Sequence, residues 1–203
     1  MADPVPILSH AERPIMSIDW SAVFAESFAY EAFLDRHASP TQRARWDAVH
    51  ERYRPTKTQA ELLRGFTREL KVLVMAGAWC GDCVNQVPIF ARFAEISPKI
   101  QLKIIDRDAR DDVSQALSIN GGKRVPAVLF LSEDHDEVAR YGERTLAAYR
   151  KLSGDQTGAA CPTGIVPPDE TLVAAVAQEW LDQFERAQLI VRMSPKFRER
   201  YGD

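Results

Sequence analysis

An α/β fold, with a central mixed sheet flanked by helices, is predicted by three features of the chain. The runs "KVLVMAG" and "VPAVLFL" are short, unbroken and apolar, as expected of strands buried on both faces. Segments with helical apolar spacing separate the strand candidates, giving the order strand, helix, strand, helix, strand. Finally, "DEVARYG" alternates polar and apolar residues in the manner of an antiparallel edge strand. A length of 203 residues suits one well-buried core with attached elements and is thin for two independent domains.

Taken in order, the first third reads as all-helical. Trp20, Val23, Phe24, Ser27 and Phe28 share one face of a helix whose apolar content Phe33 and Leu34 extend. Ser39-Pro40 offers an N-cap and a first-turn proline, and Trp46, Val49, His50 and Tyr53 follow at i, i+3, i+4 and i+7. Thr58 and Glu61 fit a capping box for a third segment carrying Leu62, Leu63, Phe66 and Leu70. After "KVLVMAG", the residues Val87, Phe90, Ala91 and Ala94 return to helical spacing. "QLKIID" is the next strand, "DDVSQALSI" a short helix, and "VPAVLFL" a strand that tolerates proline only at its start. "TLAAYRKL" supplies another helix. Residues 153–168 are rich in Gly and Pro and read as a loop; Asp169 caps a last helix with Val173, Val176, Ala177, Trp180 and Phe184 on its face. "RMSPKFRERYGD" reads as a solvated basic tail.

Bulk composition excludes more than it identifies. Hydrophobic content of 45%, charged content of 27% and a net charge of -3 are ordinary for a globular protein and offer no footprint for nucleic acid. No run approaches the ~18 apolar residues of a membrane span, and "MADPVPILSHAERP" lacks the basic and apolar blocks of a leader. A cytoplasmic location is therefore expected, with no nucleic-acid or membrane partner. In that compartment a CxxC pair is more often catalytic or metal-binding than structural.

The pair in question is Cys80 and Cys83 in "AWCGDCVNQVP". It admits three readings: a redox couple, half of a metal site, or two buried thiols. Zinc needs about four ligands. The chain offers Cys80, Cys83 and Cys161 with four scattered histidines but no second CxxC and no HxxxH, so no metal is assigned. A cysteine at the first turn of a helix faces unpaired N–H groups and the positive end of the helix dipole, which favour thiolate. Cys80 is thus placed as nucleophile, with Cys83 one turn later to attack a mixed disulfide. Gly81 removes a side chain from the gap, and Trp79 can shield one side. Cys161, in its Gly- and Pro-rich setting, is read as incidental. His50 lies on an apolar stripe and reads as a packed histidine; His135 falls in an exposed turn, and His10 and His37 lack recognisable partners.

With "WCGDC" after an apolar strand, Pro88 in the following helix, "VP" at Val125-Pro126 and Gly142 after "DEVARY", the chain resembles the thioredoxin superfamily. The similarity covers about Leu70 to Leu152. It implies a thioredoxin-like domain over 70–152, with a helical extension over 1–69 packing on it and a C-terminal helix and tail over 169–203. The proline matching Pro126 is cis and faces the cysteines in that family, and the backbone before it receives substrate as an added strand, which assigns Trp79, Gly81, Asp82, Arg124, Val125 and Pro126 to substrate binding. The implied activity is thiol–disulfide exchange without a bound cofactor, on a disulfide-containing protein or a low-molecular-weight thiol, with an unidentified reductant. The alternatives are a redox-inert binding module, or glutaredoxin-like or bacilliredoxin-like exchange by Cys80 alone. Three departures from the family stand out. Asp82 replaces a proline and opposes the Cys80 thiolate; Val74 occupies the place of the buried aspartate; and Lys123-Arg124 bring two cations to the loop expected to face the thiols, where they either restore the thiolate and attract an acidic substrate or form a solvated basic turn. Any apolar face left open by the N-terminal helices is expected to form a homodimer.

Overall fold

A computed structural model describes residues 18–157 and 169–203. A four-stranded sheet of order β2-β1-β3-β4 lies at its centre, built from β1 (Leu70–Ala76), β2 (Ile100–Asp106), β3 (Ala127–Leu131) and β4 (Glu137–Gly142). β1 and β2 are parallel, and β3 is antiparallel to both β1 and β4, so the sheet is mixed as predicted. Every residue of β1 and β3 is buried, which is why both appear in sequence as unbroken apolar runs.

Helices cover both faces. α5 (Gly81–Ile96) crosses from β1 to β2 and shares its face with α8 (Asp169–Arg192). Phe184 of α8 meets Phe90, Phe93 and Phe130, while Trp180 meets Phe90 and Tyr141. The intervening Arg140 points to the opposite face, where it lies over Trp20 of α1 (Trp20–Glu26). α6 (Asp111–Ala116) connects β2 to β3, and α7 (Leu146–Thr157) follows β4. Glu179 of α8 accepts from the backbone N–H groups of Leu146 and Ala147, capping the start of α7.

The N-terminal third is helical, with corrections to its boundaries. The first expected helix is two, α1 and α2 (Tyr30–His37), because the backbone of Phe28 leaves the helix to exchange two hydrogen bonds, at 2.8 and 2.7 Å, with Ile104 on the edge of β2. α3 (Pro40–Arg52) starts at Ser39 with the expected cap and a full capping box to Gln42. α4 (Lys57–Arg64) is capped by Thr56 with Gln59, not by Thr58 with Glu61; the matching pattern two residues upstream captures the free N–H groups first. It ends at Gly65, so Leu70 belongs to β1 rather than to the helix.

At the other end, α7 runs through Thr157 and so takes in residues expected to be loop. The readings of Cys161, of His10 and of the loop between 158 and 168 lie outside the described residues. The tail is not a solvated end: it forms α9 (Pro195–Tyr201), buries Phe197 and pairs Lys196 and Arg200 with Asp134. The aromatic stripes are core, with Phe33, Trp46, Trp180 and Phe184 fully buried. His37 stacks on Phe33, His50 bonds Glu95 at 2.7 Å, and His135 packs edge-on against Phe24.

One buried polar residue joins two helices and the segment after β4. Gln86 of α5 donates to the carbonyls of Asp82 and Glu143 and accepts from Trp180 Nε1 at 2.7 Å. Replacing Trp180 with Phe keeps most of the ring packing but strands the Gln86 oxygen. Urea denaturation should show a loss of about 1–3 kcal/mol.

Candidate functional site

β1 ends at Ala76 and α5 starts at Gly81, so the chain turns from strand to helix within the segment that carries Cys80. The turn is closed by a hydrogen bond from Cys80 N–H to Gly77 O at 3.0 Å, and the first bond of the helix runs from Val84 N–H to Cys80 O. Cys80 is the N-cap of α5 and Cys83 lies in its first turn, as the spacing predicts. Gly77 lets the Trp79 ring lie close over the turn: a Cβ would sit 2.7 Å from it and displace the ring. Trp46 of α3 reaches across to donate its indole N–H to Ala78 O at 3.0 Å, so an N-terminal helix holds the turn from behind. The Tyr30 and Phe33 rings brace that indole.

The two sulfurs are free thiols in unlike settings. Cys83 is fully buried, while Cys80 retains 9% exposure. The Cys80 pKa is lowered to about 6, chiefly by a hydrogen bond from the Cys83 side chain and further by the backbone N–H groups of Cys83 and Asp82, against the opposing effects of burial and the Asp82 charge. The Cys83 thiol is pushed well up, first by burial and then by its neighbour Cys80. At neutral pH the pair therefore holds one thiolate, at Cys80, and one proton, at Cys83.

Val125-Pro126 is a cis peptide, and the Val125 carbonyl lies 3.6 Å from Cys80 Sγ, so the loop before β3 meets the nucleophile. Gly142 stands opposite Ala127 at φ +144°, with its would-be Cβ 2.4 Å from Pro126 O, and only glycine fits that approach. Trp79 does not seal the site; it is 51% exposed, with the Arg107 guanidinium 4.5 Å from its ring centroid. Val74 is fully buried between Ile104 and Val128 and brings no acid to the site.

Of the two readings of Lys123-Arg124, the arrangement of charges favours the one without a direct part in holding the thiolate. Lys123 pairs with Asp111 at 2.5 Å and Arg124 with Glu143 at 2.7 Å, so both cations are already engaged, and neither is among the main influences on Cys80. Asp82 is held by Arg144 through two bonds, Nε to Oδ1 at 3.0 Å and Nη2 to Oδ2 at 2.6 Å, yet its charge still opposes the Cys80 thiolate. Glu143 is buried, which pushes its carboxyl up, yet bonds from Tyr149 and Arg124 and the charge of Arg144 hold it below the usual carboxylate range. Arg107 has its pKa raised first by Asp108, then by the charge of Asp106 and, more weakly, by the Cys80 thiolate. Arg107, Glu143, Arg144 and Trp46 were not singled out as site residues in the sequence. Arg107 had a signal: it follows "QLKIID", at the carboxyl end of a strand parallel to β1, where α/β sheets place their sites.

Among the described residues, no three His, Cys, Asp or Glu side chains gather to hold a metal, and no helix is long and apolar enough to cross a membrane. A family profile described as thioredoxin matches residues 29–152, which takes in α2 to α4 as well as the sheet. No curated protein matches the chain by sequence. Two solved structures share the fold at low identity. One is a Pseudomonas aeruginosa protein of unknown function, 21% identical at a TM-score of 0.64 over 87% of this chain and 98% of that one. The other is an HIV epitope-scaffold, 22% identical at a TM-score of 0.60 over 86% and 95%.

Cys80 alkylation should follow its thiolate, with a midpoint about pH 6, a plateau above pH 7 and roughly a tenth of the plateau rate at pH 5. Arg107→Ala should raise the midpoint by no more than about 0.2 pH unit, whereas Lys123→Ala should leave it in place. Thiolate absorbance followed against pH checks both.

Proposed function

Because the chain belongs to the thioredoxin family, we propose that it is a thiol–disulfide oxidoreductase that reduces disulfides with the Cys80/Cys83 dithiol, in the cytoplasm. The observation that supports this reading is the asymmetry of the pair: a low-pKa sulfur at the mouth of the site and a protonated one buried behind it. In the first step the Cys80 thiolate attacks one sulfur of a substrate disulfide; a Cys80–substrate bond forms, the substrate S–S bond breaks, and the other substrate sulfur leaves as thiolate. The leaving thiolate takes up the proton that Cys83 gives up. Cys83 then attacks Cys80 Sγ, forming the internal disulfide and releasing the second substrate sulfur. The substrate gains two electrons from the pair and one proton from Cys83, and the second substrate sulfur, which leaves as thiolate, takes its proton from water. A second thiol or dithiol must reduce Cys80–Cys83 for another turnover.

The substrate backbone pairs beside Val125-Pro126, where the Val125 carbonyl already lies against Cys80. Gly81 leaves the approach open, since even a Cβ there would meet nothing within 4 Å. No bound cofactor takes part in these steps.

One observation favours the second reading, in which Cys80 exchanges alone with a small-thiol cap. Burial holds the Cys83 proton, and apolar Val74 leaves no acid there to assist its removal. Resolution is then slower than attack.

Cys83→Ser separates the readings. Under the dithiol mechanism it should accumulate a Cys80–substrate mixed disulfide, visible by mass, and lose more than about 90% of turnover in a disulfide-reduction assay. A monothiol route keeps its turnover with a glutathione-capped substrate. Cys80→Ser should abolish exchange by either route.

A further inference from the structure

A groove of about 430 Å³ runs between α3 and the start of α5, immediately beside the nucleophile. Its walls include Gln42 and Arg45 of α3 on one side and Trp79, Gly81 and Asn85 on the other. The cations next to the thiols have carboxylate partners within the chain: Arg107 has Asp108, Arg124 has Glu143, Arg144 has Asp82 and Lys123 has Asp111. Arg45 differs. It is exposed in the groove and has no hydrogen bond or ion pair among the described residues. Asn85, also exposed, adds an uncommitted amide one turn into α5, and the half-exposed Trp79 ring gives the groove an apolar wall. A cation without an internal partner, a neutral donor and an aromatic wall together suit a carboxylate carried on a short apolar or peptide-like stem.

Resting on the disulfide-exchange reading, we propose that this groove binds a carboxylate of the disulfide substrate and that Arg45 is its specificity-determining residue. The selectivity then comes from α3, outside the strand and helix that carry the cysteines, and not from the Lys123-Arg124 loop. The carboxylate can belong to a low-molecular-weight disulfide or to an acidic segment flanking a protein disulfide; both present the same group to Arg45.

The test measures oxidation of the reduced protein by three probes: oxidised glutathione, a disulfide-bridged peptide flanked by glutamates, and neutral bis(2-hydroxyethyl) disulfide. Arg45→Ala should lower the preference for an acidic probe over the neutral one by about fivefold at low salt. Arg45→Lys should keep most of the preference, and salt should weaken it in the parent protein but not in Arg45→Ala. A loss confined to one acidic probe identifies the source of the carboxylate. An unchanged preference in Arg45→Ala, or equal slowing with all three probes, overturns the assignment while exchange itself continues. If the parent protein reacts with none of the probes, the disulfide-exchange reading fails, and this proposal with it.

Discussion

The chemistry rests on the short turn between β1 and α5. The strand is buried along its whole length, and after the turn the helix starts at Gly81 with its free N–H groups aimed at Cys80. A sulfur in that position meets backbone donors fixed by the helix itself, and no side chain has to be held in place to supply them. Cys83, one turn on, faces inward because the helix period puts it there. Burial then keeps its proton, and that proton in turn stabilises the Cys80 thiolate. One backbone geometry thus assigns opposite protonation states to two identical side chains.

The remaining structure holds this turn in place. Trp46 ties it to α3, and Gln86 ties the first turn of α5 to α8 through Trp180 and to the segment after β4 through Glu143. The charged residues nearby are mostly satisfied by one another, in the series Asp82, Arg144, Glu143, Arg124. With these charges engaged by one another, the thiol of Cys83 and then the backbone N–H groups of Cys83 and Asp82 hold the Cys80 thiolate against burial and the Asp82 charge. The N-terminal helices are therefore part of the site's support, in keeping with a family match that begins at residue 29.

Much of this was legible in sequence. The unbroken apolar runs marked β1 and β3 because strands buried on both faces have no polar side to show, and the CxxC spacing placed both sulfurs at a helix start. Legibility failed where a partner distant in sequence decides the outcome. Phe28 looks helical until the edge of β2 offers it two hydrogen bonds; Lys123 and Arg124 look free until Asp111 and Glu143 fold beside them. Trp46 was recognised as core, but an indole N–H at full burial also needs an acceptor, and no spacing rule points to Ala78, 32 residues on. The tail misled for the same reason, since its basic residues find their acids in the turn between β3 and β4.

The central claim is that Cys80 and Cys83 form a reversible two-electron couple. The most direct test equilibrates the protein, on a Cys161→Ser background, across a series of thiol–disulfide buffers and quantifies the Cys80–Cys83 disulfide by mass at each poise. The account predicts one two-electron transition confined to that pair, with a midpoint near the roughly -270 mV of a reducing thioredoxin. Failure of the Cys80–Cys83 disulfide to form at any poise would contradict it.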